Sequence, residues 1–242
     1  MIKEIIYPHD EKNPVEVDEY FRTEAEALRG AGIRAGVEPR EDSDVLIRRG
    51  FIIKNEADYP TDPRYIQGWK EYISSRSQSI YYPLIADLCI PTIFSKKLDE
   101  SVVTEIRNRG WDKAFIRFDT KSLWNEGVLA SVWPRHSMEE LESRYRSLYG
   151  DGVFAIRKFI NPALFYNEER YWVIMGKIYH RTGIIPAIVK EAVSRLSVLG
   201  SHYYTIDAID GMIVEVNAGE SSDRMGVNSP ELFASWWKDA LE

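Results

Sequence analysis

Asp207, Glu215 and Asn217 are the residues of this chain whose types and spacing could do chemistry together. They lie in His202-Tyr-Tyr-Thr-Ile-Asp-Ala-Ile-Asp-Gly-Met-Ile-Val-Glu-Val-Asn, where two runs rich in β-branched and aromatic residues flank Asp210-Gly211. Such flanks are a hairpin signature, because Gly accepts the positive φ of a tight reversal. Side chains alternate along each strand, so loop length decides which residues share a face. A three-residue loop, Ile209-Asp210-Gly211, puts Ile206, Ala208, Met212, Val214 and Val216 on an apolar face. Asp207, Glu215 and Asn217 then share the other, with Thr205 and Ile213 beside them. A two-residue loop would bury Asp207 among Val214 and Val216 without a partner, at a cost of roughly several kcal/mol, so the odd register is expected.

Two carboxylates and an amide oxygen make an all-oxygen set suited to Mg2+, a hard cation that takes its other ligands from water and substrate phosphates. A nucleotide is therefore the implied third party. The competing reading is the solvated outer face of an ordinary hairpin, but Asn217-Ala-Gly-Glu-Ser-Ser leaves the strand end as a small-residue loop that a polyanion could approach. With no cation bound, clustered carboxylates should repel one another, so Glu215→Gln is expected to leave metal-free stability unchanged or raised.

A polyphosphate also needs cations. Lys113 to Lys121 alternates as a strand, with Ala114, Ile116 and Phe118 on one face and Lys113, Phe115, Arg117 and Asp119 on the other. Arg117 can meet phosphate with its planar fork, and Lys121 falls on the following loop, Thr120 to Gly127, where a mobile cation could close over phosphates. Taken alone, this stretch also reads as a solvated cationic strand edge.

Asp207 followed by Glu215-Val-Asn217 and Ala-Gly-Glu-Ser-Ser resembles the metal-binding signature of the ATP-grasp superfamily. Upstream, Phe115-Ile-Arg117 leading into a loop with Gly127 is similar to that family's phosphate-binding strand and flexible loop. Phe154-Ala-Ile-Arg-Lys-Phe-Ile160, with Lys158 and Phe159, resembles the hinge beside adenine. Glu168-Glu-Arg170 and Gly176-Lys177 resemble the Glu-x-Arg strand and the turn ending in Gly-Lys. The resemblance implies ATP and Mg2+ as cofactors. It implies Asp207, Glu215 and Asn217 as metal ligands, and Arg117, Lys121, Lys158, Phe159, Glu168, Arg170 and Lys177 around the nucleotide, with Arg170 and Lys121 in catalytic roles. One departure stands out: many members carry an arginine two residues before the metal-binding Asp, where this chain has Thr205. That gap resembles a compact clade of bacteria and their viruses in which lysines elsewhere replace the arginine, and Lys158 and Lys177 are the candidates here.

The elements that must position these residues follow the same pattern. Residues 1–95 alternate strand and helix: Ile2 to Tyr7, Val17 to Arg29 with a glycine stop at Gly30, Ile33 to Val37, and Val45 to Ile53. Asn55 to Arg64 reads as a loop and Ser77 to Cys89 as a helix, while Arg48-Arg49 reads as a surface or loop pair rather than as substrate ligands. Leu98 to Asn108 opens the second half as an amphipathic helix closed by Gly110. The expected class is α/β (α+β), an ATP-grasp fold preceded by a small α/β pre-ATP-grasp domain. The expected division is 1–95 and 96–242, the latter split into a lid subdomain at about 96–155 and a metal-binding subdomain at about 156–242.

A net charge of −7 over 242 residues argues against non-specific nucleic-acid binding. No apolar run reaches membrane-spanning length, and Lys3 and Glu4 interrupt the apolar start, so neither a membrane nor a secretory route is expected. Cys89, the single cysteine, has no internal partner, which fits a cytoplasmic location. The expected activity is an ATP- and Mg2+-dependent carboxylate-amine or carboxylate-thiol ligase acting through an acyl phosphate. Its partners are ATP, a carboxylate substrate and a nucleophile, and a second copy of the chain is a candidate partner. A phosphotransferase on the same scaffold, or a nucleotide-binding protein without turnover, are the alternatives.

Overall fold

The computed structural model describes residues 2–120, 128–161, 167–224 and 229–242. The chain begins with β1 (Lys3–Ile6), α1 (Arg22–Gly30), β2 (Arg34–Gly36) and β3 (Val45–Arg48). These strands form a parallel sheet in the order β2-β1-β3. Next come α2 (Trp69–Arg76), α3 (Gln78–Ile85) and β4 (Thr92–Ser95). The chain continues through α4 (Glu100–Asn108), β5 (Ala114–Phe118), β6 (Val132–Trp133), α5 (Met138–Tyr149) and β7 (Phe154–Lys158). Antiparallel pairing joins the strands of this part in the order β4-β7-β5-β6. The last part holds β8 (Glu169–Ile174), β9 (Lys177–Tyr179), α6 (Ala187–Leu196), β10 (Tyr203–Ile209), β11 (Met212–Ala218) and α7 (Pro230–Leu241). Its sheet runs β11-β10-β8-β9, so the mixed helix-and-sheet class is the one expected.

Each four-stranded sheet has one apolar face, as alternation requires. In the β4-β7-β5-β6 sheet, Ala114, Ile116, Phe118, Phe154 and Ile156 pack under α4 and α5 with Val102, Ile106, Leu141 and Tyr145. Arg117 and Arg157 therefore leave by the opposite face. In the β11-β10-β8-β9 sheet, Tyr171, Val173, Tyr204, Ile206, Ala208, Ile213 and Val216 pack beneath α3 and α6. The other face of that sheet is divided. At one end Trp172, Ile174 and Tyr203 join Phe233, Trp236 and Trp237 of α7, Ala25 and Leu28 of α1, and Ile5 and Ile47 of the N-terminal sheet in one core. At the other end stand Arg170, Asp207, Glu215 and Asn217.

The hairpin reaches that arrangement by a different route from the three-residue loop. Asp207 lies opposite Glu215 and Thr205 opposite Asn217, but Ile209 pairs with Met212, leaving a two-residue turn of Asp210 and Gly211. Their φ values of 46° and 79° suit the hairpin turn whose twist matches the strands. A β-bulge then inserts Val214 between the partners of Asp207 and Ala208 and restores the carboxylate register. The bulge also exchanges two apolar side chains: Ile213 joins the core beside Val216, while Val214 packs with Ile90 and Ile209 on the other side.

One further expectation changes. Arg48 and Arg49 are not a surface pair, being 9% and 1% exposed. The division at residue 95 falls directly after β4, which pairs with β7, and the division at 155 and 156 runs through β7 itself.

Candidate active site

The acidic residues converge because antiparallel partners share a face. Asp207 is 1% exposed and sits directly across from Glu215. The Asn217 amide links them: its Nδ2 donates to Glu215 Oε1 at 2.8 Å and to Asp207 Oδ2 at 3.3 Å. Thr205, where the resemblance expects an arginine, is fully buried and its hydroxyl pairs with that of Ser222 at 3.1 Å.

Guanidinium groups answer these carboxylates from two sheets. Arg170 on β8 lies opposite Asp207 and forks onto it, Nε to Oδ1 at 2.7 Å and Nη2 to Oδ2 at 2.8 Å. Its Nη1 reaches Asp223 Oδ1 at 2.6 Å. From the second sheet, Arg117 donates to Glu215 Oε2, and Arg157 Nη2 approaches the same oxygen at 3.6 Å. Arg157 also donates to Gln78 Oε1 at 3.1 Å, and its Nε is buried without a partner among the described residues.

Burial and charge set the protonation states. Burial alone would raise the Glu215 pKa, but Arg117 and Arg157 hold it down to about 2. Burial raises the Asp207 carboxyl, and the Arg170 fork opposes that rise. Glu168, at the foot of β8, is pushed up to about 7 by burial and by the negative charges of Asp207 and Glu215. Arg157 is pulled below the usual guanidinium range by burial and by Arg117 beside it. The cluster therefore holds two buried ion pairs, with Glu168 nearby as a carboxyl that titrates near neutrality.

The structure thus brings Arg117, Glu168, Arg170, Asp207, Glu215 and Asn217 together. Lys158 does not join them: it is exposed, next to Phe159, whose ring lies 5.7 Å from the Lys113 ammonium. Lys177 sits at the far end of β8, where its Nζ donates to the Asp239 carbonyl of α7 at 2.5 Å. Lys121 and the loop to Gly127 lie outside the described residues. Arg157 is the site residue that the reading of single residues passed over. Alternation in Phe154-Ala-Ile-Arg-Lys already puts it opposite Phe154 and Ile156, the signal that could have found it.

As a test of the donor set, the site supplies two carboxylates and an amide end already in contact with both. Turning the Asn217 amide by half a rotation would put an oxygen where its nitrogen now stands. Such a set fits a hard divalent cation. No group of three or more His, Cys, Asp or Glu side chains poised for a metal occurs among the described residues.

No family model and no curated protein matches this sequence. Solved structures do match along its whole length. D-cycloserine synthetase DcsG superposes with a TM-score of 0.63 at 16% identity, covering 100% of both chains. Macrocyclase MdnC from Microcystis aeruginosa MRC, solved bound with precursor peptide MdnA, gives 0.62 at 11% identity over 98% of this chain and 100% of that one. ATP-grasp ligase PsnB, complexed with minimal precursor, Mg and ADP, gives 0.59 at 10% identity over 99% and 97%. The likeness runs through all three sheets: the chain has the ATP-grasp fold.

Proposed function

We propose that the chain is an ATP- and Mg2+-dependent ligase that activates a carboxylate as an acyl phosphate and passes the acyl group to an amine or thiol. The observation that carries this reading is the apposition of Asp207, Glu215 and Asn217 with Arg117, Arg157 and Arg170 across two sheets. The β2-β1-β3 sheet serves as the pre-ATP-grasp domain. The β4-β7-β5-β6 sheet is the lid and the β11-β10-β8-β9 sheet the metal-binding subdomain, with a cytoplasmic location. Asp207, Glu215 and Asn217 would hold Mg2+, which supplies neutralisation of charge between the acids and the phosphates. Arg117 and Arg157, now on Glu215, exchange one anion for another and take phosphate oxygens with charge-assisted hydrogen bonds. Arg170 keeps Asp207 ionised and oriented. Lys121 and Phe159 complete the nucleotide contacts, the first at the phosphates and the second at adenine.

Catalysis here is positioning and charge stabilisation rather than covalent work by the protein. The test traps the activated acid. Incubating the protein with ATP, Mg2+, a carboxylate panel and hydroxylamine should release ADP and accumulate the matching hydroxamate in equal amounts. A stable phosphorylated product, or ADP with no hydroxamate from any acid, would contradict the ligase reading.

A further inference from the structure

Arg48, the last residue of β3, is 9% exposed, and its guanidinium lies 4.1 Å from the Phe51 ring and 5.4 Å from the Tyr59 ring. Its side chain makes no hydrogen bond and no ion pair among the described residues, while its backbone lies in the ladder with β1. Glu220 follows Asn217 on the turn Gly219–Ser221 and is 2% exposed. Its Oε1 accepts from the Tyr59 hydroxyl at 2.6 Å and from Gln67 Nε2 at 2.8 Å, whereas Oε2 is buried with no partner. Tyr59 therefore touches both charges, the cation on its ring and the carboxylate on its hydroxyl.

Two unlike charges so placed would normally pair, since a buried charge left alone is costly. Here the backbone holds each in place. The Glu220 carbonyl accepts from Gly50 N at 2.7 Å and Phe51 N at 3.0 Å, which ties the turn to the exit of β3. Gly219 lies so close to Tyr203 that a Cβ would stand 2.6 Å from its ring, which fixes the entry to the turn. The outcome is a guanidinium and a carboxylate oxygen, both set against Tyr59, that lack hydrogen-bonded complements among the described residues.

We propose that Arg48 and Glu220 form a binding subsite for a free α-amino acid, Arg48 taking its carboxylate and Glu220 its ammonium group. A simple anion would satisfy Arg48 but be repelled by Glu220, and a simple amine the reverse, so the pair selects a zwitterion. The turn carrying Glu220 continues directly from the strand of Glu215 and Asn217, which brings such a molecule beside the proposed nucleotide site. In assigning a substrate class, this inference rests on the ligase reading; its binding arm is measured independently of turnover.

The probes are proteinogenic amino acids in L and D forms, with their N-acetyl and carboxamide derivatives. Each is added to the intact protein, first alone in thermal melts and then with ATP and Mg2+ while ADP release is followed. At least one free amino acid should raise Tm and stimulate ADP release, and both of its masked forms should do neither. Arg48→Lys keeps charge but loses the fork, and should raise the KM for that amino acid about tenfold with kcat within about twofold. Glu220→Gln should weaken the same amino acid while leaving the Mg-AMPPNP-induced shift in Tm unchanged. The proposal is overturned if no free amino acid binds while Mg-AMPPNP still raises Tm, if masked forms act equally well, or if Arg48→Lys leaves KM unaltered. Loss of the ligase reading would show separately, as a wild-type protein that does not respond to Mg-AMPPNP.

Discussion

Glu215 answers to two buried arginines, and that reverses one expectation drawn from the acids alone. Considered by themselves, Asp207 and Glu215 should repel, and Glu215→Gln should do no harm in the absence of metal. With Arg117 and Arg157 both directed at Glu215, neutralising it strands two buried guanidinium groups. The expected outcome is a loss of about 3–5 kcal/mol in metal-free stability, the size seen when one member of a buried pair is removed. Urea unfolding of Glu215→Gln beside wild type measures it. Glu168 makes the second residue-level prediction. Its pKa of about 7 exceeds the ordinary 4.5, so between those values the native state binds a proton that the unfolded state has released. Stability should therefore fall as pH rises from about 4.5 through about 7. In Glu168→Gln this part of the fall should vanish, and melts at pH 5 and pH 8 would show the two values drawn together. Equal pH dependence in both proteins would mean that Glu168 titrates elsewhere.

The hairpin shows what an element's sequence reveals and what it conceals. Composition and the Asp210-Gly211 pair made the reversal legible, and the demand that Asp207 avoid an apolar face made its register legible. The bulge at Val214 was not legible, because a three-residue loop and a two-residue turn plus a bulge give the same acid face. Only packing of Ile213 under α3 and α6, and of Val214 against Ile90, separates them. Strand alternation likewise placed Arg117 correctly, whereas Lys177 was assigned by likeness to a motif and stands with Asp239 instead. The buried Arg48 and Arg49 were hidden for a related reason: two adjacent arginines carry no periodic signal, and the partner of Arg49, Glu24, is distant in sequence. The turn itself yields a test. Gly211 has φ of 79°, so Gly211→Ala should cost about 1–2 kcal/mol, and urea unfolding should show it as a lower midpoint at unchanged slope.

Taken whole, the molecule couples its N-terminal sheet to its C-terminal helix. Trp237 is fully buried where α7, β8, β10 and the β2-β1-β3 sheet share one core. Trp237→Ala should destabilise the protein by about 3–5 kcal/mol, and tryptophan fluorescence and far-UV circular dichroism should still report one coincident transition. Separate transitions would show the N-terminal sheet unfolding independently. No helix among the described residues is long and apolar enough to cross a membrane. The central claim, that Asp207, Glu215 and Asn217 hold a divalent cation on a nucleotide, draws on the two four-stranded sheets and is tested most directly by calorimetric titration of AMPPNP. Wild-type protein should bind it with Mg2+ and far more weakly in EDTA, and Asn217→Ala, which leaves both buried ion pairs in place, should lose most of that Mg2+ dependence. Equal affinity with and without Mg2+, or an Asn217→Ala protein with the full Mg2+ dependence, would contradict the account.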